Sequence, residues 1–138
     1  MKIYLILLFG IIISCSPTKE TQQSYELVWN DEFDQTVPEL DASKWFRETV
    51  APNNGSWYND ELQHYTDRLD NAYVTEGTLK IKAKKEAYTH SGTTQAYTSA
   101  RLNSKFSFTY GKVVVRAKLP RAQGTWPAIW TLGSNLET

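Results

Sequence analysis

The chain has 138 residues, with 15 lysines and arginines against 15 aspartates and glutamates. That length suits one domain at most, and the neutral balance gives no electrostatic reason to bind nucleic acid or an anionic membrane surface. Aromatic residues make up 13% of it, including five tryptophans and eight tyrosines; flat rings stack on the apolar C–H faces of sugars, so this load points to a neutral, hydroxyl-rich ligand.

Met1-Lys2 is a positive start, and Ile3 to Ile13 is an almost unbroken apolar run. The run is too short to span a bilayer and fits the core of a signal peptide. It ends in Ile12-Ile13-Ser14-Cys15, which resembles the bacterial lipobox, where an aliphatic residue, a small residue and cysteine mark cleavage and lipid attachment. Residues 1–14 are therefore expected to leave as a signal peptide and Cys15 to carry the lipid. Several acyl chains on one cysteine would anchor the protein stably to the bacterial envelope. A plain signal peptide with an incidental cysteine is the other reading. Cys15 is the only cysteine, so no intrachain disulfide can form. Residues 15–24 are polar, carry Pro17, and read as a tether.

Short alternating runs bounded by turn residues dominate the rest, which is the strand signal. Tyr25 to Trp29 and Leu62 to Thr66 are predicted short strands. Thr78 to Lys84 is the clearest, with Leu79, Ile81 and Ala83 on one face and Lys80, Lys82 and Lys84 on the other. Phe106 and Phe108 share a face in another candidate strand. Tyr110-Gly111 is then expected to turn into a strand over Lys112 to Leu119. In that strand Val113, Val115 and Ala117 oppose Lys112, Arg116 and Lys118, with Val114 on the charged side. Turns are expected at Glu76-Gly77, and loops at Asn53-Asn54-Gly55 and Ser91-Gly92. The sum is an all-β sandwich or jelly roll.

Trp126-Pro127-Ala128-Ile129-Trp130 is the most informative stretch. If extended, it sets two tryptophans on one face about 13 Å apart, with the small Ala128 between them. That suits several sugar units lying across a sheet, though both rings could equally be core. Tyr97, Ser99 and Arg101 share a face, and the guanidinium offers five donors to sugar hydroxyls; a surface arginine paired with a carboxylate is the plainer alternative. Asn59-Asp60-Glu61-Leu62-Gln63 could hydrogen-bond a ligand or satisfy its own loop. Asn30-Asp31-Glu32-Phe33-Asp34 has oxygen donors suited to calcium, but without a helix-loop-helix spacing a solvated acidic loop is the default. His64 and His90 have no cysteine or histidine at metal-ligand spacing and read as structural.

Together these segments resemble glycoside hydrolase family 16, most closely its laminarinase-type β-1,3-glucanases. The matching pieces run in family order from Leu27-Val28-Trp29-Asn30-Asp31-Glu32-Phe33-Asp34 and Leu40-Asp41-Ala42-Ser43-Lys44-Trp45 to Asn59-Asp60-Glu61-Leu62-Gln63-His64-Tyr65-Thr66. They continue through Gly77-Thr78-Leu79-Lys80-Ile81, Tyr97-Thr98-Ser99-Ala100-Arg101-Leu102, and Tyr110-Gly111 leading to Arg116-Ala117-Lys118-Leu119-Pro120, and close on Trp126-Pro127-Ala128-Ile129-Trp130. The resemblance implies that residues 25–138 are the N-terminal part of a concanavalin A-like jelly-roll catalytic domain with a cleft on its concave face, the fold being incomplete in this chain. It implies that Asn59, Arg101, Trp126 and Trp130 contact substrate on the glycone side. It also implies that Glu32 and the Gly77 carbonyl are two ligands of a structural calcium. Where the family has Trp-Gly before its Asn-x-Glu-Leu-Gln piece, this chain has Trp57-Tyr58.

The family's nucleophile and acid/base glutamates lie in a Glu-x-Asp-x-x-Glu pattern, or one residue shorter, soon after the Trp-Pro-Ala segment. This sequence contains no such pattern; Glu39-Leu40-Asp41 is the nearest imitation and no second glutamate follows it. No catalytic residue is therefore assigned, and these residues alone are expected to be inactive. A monomeric retaining hydrolase of β-glucan is expected for the longer protein, with no catalytic cofactor. The alternative is a non-catalytic carbohydrate-binding surface lipoprotein.

Overall fold

The computed structural model describes residues 24–135. The apolar leader, Cys15 and the tether up to residue 23 lie outside the described residues. Regular structure is almost entirely β: β1 (Trp45–Arg47), β2 (Gln63–Tyr65), β3 (Ala72–Thr75), β4 (Thr78–Ile81), β5 (Lys84–His90), β6 (Thr93–Ser99) and β7 (Leu102–Ser104), with one 3₁₀ turn at Tyr58–Asp60. β1 pairs antiparallel with β7, β3 with β4, and β5 with β6, while β2 lies parallel to β6.

β6 and β7 are nearly one extended run that exchanges partners at Ala100-Arg101. Thr66 N donates to Ser99 O at 3.0 Å, prolonging the β2 ladder, and Glu48 N donates to Arg101 O at 3.0 Å, opening the β1 ladder. The Glu76-Gly77 and Ser91-Gly92 turns form as expected, and all four residues have positive φ. Such turns match the twist of the strands they join. Gly55 is required for another reason: a Cβ there would stand 2.3 Å from Thr93 Oγ1. The Asn53–Ser56 loop thus rests directly on the first residue of β6.

The apolar core is small. Leu40, Ala72, Val74 and Ala100 are buried, with Phe33, Trp45, Leu79 and Leu102 packed against them. An aromatic row flanks it: Trp45 meets Trp29 edge-on at 5.5 Å between centroids, Trp29 stacks with Phe106 at 5.9 Å, and Phe106 with Phe108 at 6.2 Å. The acidic turn before this row has a structural role. Asp31 Oδ2 accepts from Trp45 Nε1 at 2.6 Å and Asp31 Oδ1 from Phe33 N at 3.1 Å. Lys44 Nζ lies 3.5 Å from Asp31 Oδ1. Asp31 is thus a buried anchor, not part of a solvated loop.

On the inner side of β6 the packing is polar. Thr98 and Asn71 are fully buried. Thr98 Oγ1 accepts from Asn71 Nδ2 at 3.0 Å and from Arg68 Nη2 at 3.2 Å, and donates to Glu86 Oε1. Arg68 also pairs with Glu86, and Thr66 Oγ1 donates to Asn71 Oδ1 at 2.5 Å. Asn71 Nδ2 reaches on to Lys82 O at 3.0 Å. Every member has a partner, which is what makes a buried polar cluster tolerable.

Several sequence expectations differ from the structure. Residues 112–119, the Phe106/Phe108 segment and Tyr25 to Trp29 are not strands, and Tyr110-Gly111 closes no hairpin. Alternation specifies which face of a strand is apolar, but a ladder also needs a neighbouring backbone, and among the described residues none pairs with 112–119. Val113, Val114 and Val115 are accordingly exposed. The Thr78 strand also ends earlier than expected, at Ile81, with Lys82 N donating to Asn71 O at 2.8 Å as the last rung of its ladder with β3. Of its expected inner face only Leu79 packs on the core; Ile81 and Ala83 are exposed.

Replacing Asn71 with alanine strands the Thr98, Arg68 and Lys82 groups it serves, and should cost about 3 kcal/mol in denaturant unfolding. The Thr98 hydroxyl, followed by Arg68, lowers the Glu86 pKa from its ordinary 4.5 to about 2. A depressed carboxylate stabilises the fold fully above its unfolded value, and that contribution is lost as pH falls. Unfolding stability should therefore decline between about pH 4.5 and pH 2, and the Glu86→Gln variant should flatten that limb.

Candidate functional site

The parallel register pairs Gln63 with Tyr97, His64 with Thr98, and Tyr65 with Ser99. Directly paired residues project to the same side of a sheet. His64 and Thr98 therefore point inward, while Gln63, Tyr65, Tyr97 and Ser99 share the other face. Arg101 continues that face two residues beyond Ser99, as the sequence predicted.

Arg101 is the centre of the site. Its guanidinium sits over Trp57 at 5.8 Å and over Trp130 at 5.3 Å from the ring centroids. Trp57 is buried, 3% exposed, and forms the floor; Trp130 is 59% exposed and forms a wall open to solvent. Arg101 Nε lies 2.8 Å from Glu48 Oε2 in an ion pair, but its N–H is not aimed along a hydrogen-bond axis. The same Glu48 oxygen accepts from Asn103 Nδ2 at 2.9 Å.

Beside the arginine lies a second polar group. Tyr65 packs edge-on against Trp57 at 4.6 Å. Its hydroxyl donates to Glu61 Oε2 at 2.7 Å, and Gln63 Nε2 donates both to Glu61 Oε2 at 3.0 Å and to Tyr65 Oη at 2.9 Å. Burial first, then the Glu61 carboxylate, pushes the Tyr65 phenol well above its usual range, with Gln63 and Arg101 opposing weakly. The phenol therefore stays a donor that holds Glu61 in place.

The structure brings Arg101 and Trp130 together. Asn59 is exposed two residues from both Trp57 and Glu61, in a left-handed conformation at φ 59°. Asparagine tolerates that conformation better than most side chains. Trp126 is 76% exposed, so neither tryptophan is sealed in a core. Trp57, Tyr65 and Glu48 were missed as partners of Arg101. Tyr65 could have been found from its alternation with Gln63, but the pairing with Glu48 spans 53 positions and no local pattern encodes it. His64 is structural: Nε2 donates to the Thr93 carbonyl at 2.9 Å.

Glu32 is exposed, and Gly77 stands in the β3–β4 turn. Asp34 Oδ1 would lie 3.9 Å from a Cβ added at Gly77. Among the described residues no three histidine, cysteine, aspartate or glutamate side chains gather as a metal site. Calcium takes roughly six to eight oxygens, so these groups fit it only as part of a larger set.

A family model described as glycosyl hydrolases family 16 matches residues 58–138. The chain belongs to glycosyl hydrolase family 16. It is 42% identical to a β-glucanase of Rhodothermus marinus over 133 residues, covering 91% of this chain and 43% of that protein. Among solved structures it is similar to LamAcat from Zobellia galactanivorans, with 59% identity, a TM-score of 0.60, and coverage of 62% of this chain and 34% of that one. A variant of LamA from the same organism, solved in complex with laminaritriose and laminaritetraose, is 58% identical with a TM-score of 0.59 and coverage of 61% and 34%. The chain thus spans less than half the length of these family 16 relatives.

Removing the Tyr65 hydroxyl leaves Glu61 with only Gln63 as a hydrogen-bond donor. Tyr65→Phe should lower stability by about 1 kcal/mol at neutral pH. A phenol whose pKa is raised by folding stabilises the fold below its unfolded value, so that loss should vanish as pH rises past about 10. Chemical denaturation at pH 7 and pH 10.5 measures both.

Proposed function

We propose that the protein containing this chain hydrolyses β-glucan internally, with β-1,3-glucan as the substrate and retention at the anomeric carbon. This chain supplies the glycone-side binding surface. The observation that carries the proposal is the Arg101 guanidinium lying over both Trp57 and Trp130 on the face that also bears Gln63, Tyr65 and Ser99. Sugars need an apolar surface for their C–H faces and fixed donors for their hydroxyls. Trp130 offers the first, and the outer nitrogens of Arg101 offer the second.

Binding along this surface would hold the chain of sugar units in line, so that the scissile bond sits beside the acids that cleave it. A retaining hydrolase places two carboxyl groups about 5–5.5 Å apart, one as nucleophile and one as acid/base. Neither Glu48 nor Glu61 suits those roles, since one is committed to Arg101 and Asn103 and the other to Tyr65 and Gln63. We assign cleavage to the family's Glu-x-Asp-x-x-Glu glutamates, so hydrolysis belongs to the whole protein and not to these 138 residues. We further propose that Cys15 anchors the protein by lipid to the bacterial envelope, on the strength of the lipobox-like Ile12-Ile13-Ser14-Cys15 sequence.

The absence of that glutamate pattern from the chain favours one competing reading, a carbohydrate-binding lipoprotein without catalysis. Reducing-end release from laminarin by the full-length protein decides between them. Turnover is expected, with kcat/KM falling about 10- to 100-fold in Trp130→Ala and Arg101→Ala as about 1–3 kcal/mol of transition-state stabilisation is lost. Binding without turnover would establish the alternative.

A further inference from the structure

Arg101 would ordinarily make a sugar site cationic. Here one carboxylate pairs with it, and a second, Glu61, is bound to Tyr65 and Gln63 on the same face. Glu48 lies 2.8 Å from Nε, with side-chain exposures of 12% for Glu48 and 18% for Arg101. Glu61, just before β2, is held by Tyr65 and Gln63, and Arg101 acts electrostatically on that same Tyr65 hydroxyl. Asn103 Nδ2, donating to Glu48 at 2.9 Å, keeps the carboxylate turned toward the arginine. Glu48 sits nearest Nε, and among the described residues neither outer guanidinium nitrogen donates a hydrogen bond, so their N–H groups are kept for a ligand. The local balance is one positive charge against two negative ones.

We propose that Glu48 is a specificity-determining residue: by neutralising Arg101 without occupying its outer donors, it lets the site hydrogen-bond neutral glycans and reject sulfated or carboxylated ones. Because the glycan site itself is the proposed function above, this inference rests on that reading. Like charges placed against each other act mainly on partner choice, excluding the wrong ligand more than tightening the right one. The aromatic floor and wall keep Arg101 in place when its charge partner is removed, so its donors remain where a ligand meets them.

The test is affinity electrophoresis of the full-length protein in gels containing laminarin, or the same laminarin oxidised at its primary hydroxyls to carboxylates. The unaltered protein should bind the oxidised polymer at least about tenfold more weakly. Raising sodium chloride from roughly 0.05 to 0.5 M should narrow that ratio by screening the repulsion. Glu48→Gln should bring the ratio close to one, chiefly by strengthening binding of the oxidised form, whereas Glu48→Asp, which keeps the charge, should preserve discrimination. An unchanged ratio in Glu48→Gln would overturn the proposal. So would a ratio insensitive to salt in the unaltered protein, a measurement that needs no variant to fold. Equal binding of both polymers by the unaltered protein would leave the glucan reading intact and remove this one; failure to bind unmodified laminarin would remove the glucan reading itself.

Discussion

Thr98 Oγ1 accepts hydrogen bonds from Asn71 and Arg68 and donates one to Glu86, inside a region closed to water. That single oxygen joins the start of β3, the loop before it, and strands β5 and β6. Side chains alternate along a strand, so fixing Thr98 inward fixes Tyr97 and Ser99 outward, and Arg101 after them. A slip of one residue in β6 would bury Arg101 and expose Thr98. The polar network therefore sets register, with the surface that carries Arg101 as its consequence.

The opposite face shows why the residue at position 101 is arginine. A lysine could satisfy Glu48 as a point charge. It could not present a flat cation to both Trp57 and Trp130 while keeping donors at its outer edge. The same planarity makes the site directional, because donors leave the guanidinium only within its own plane. Trp57 has its indole nitrogen buried without a hydrogen-bond partner among the described residues. The sequence thus holds a large polar-edged ring in a dry position directly beneath its arginine.

Local chemistry was legible from the sequence and distant pairing was not. The turns at Glu76-Gly77 and Ser91-Gly92 could be read because two adjacent residues determine them. The shared face of Tyr97, Ser99 and Arg101 could be read because a period of two determines it. Asp31 was misjudged because its role depends on Trp45, fourteen positions away. Residues 112–119 carry a strand's alternation yet form no ladder, since pairing belongs to two segments and a sequence pattern describes one. Glu48 escaped notice for the same reason: only the β1–β7 pairing brings it beside Arg101.

Two glycines on neighbouring loops illustrate opposite tolerances. At Gly55 a single added carbon collides with the Thr93 side chain, whereas at Gly92 nothing lies within 4 Å. The tip of the β5–β6 hairpin therefore has room for a fluorophore or spin label at the exposed Ser91, which already carries a side chain there, whereas Gly92, at φ +81°, would be strained by any side chain. The loop around Gly55 is unsuited to that use, because any bulk introduced there would lever against the strand that carries the arginine.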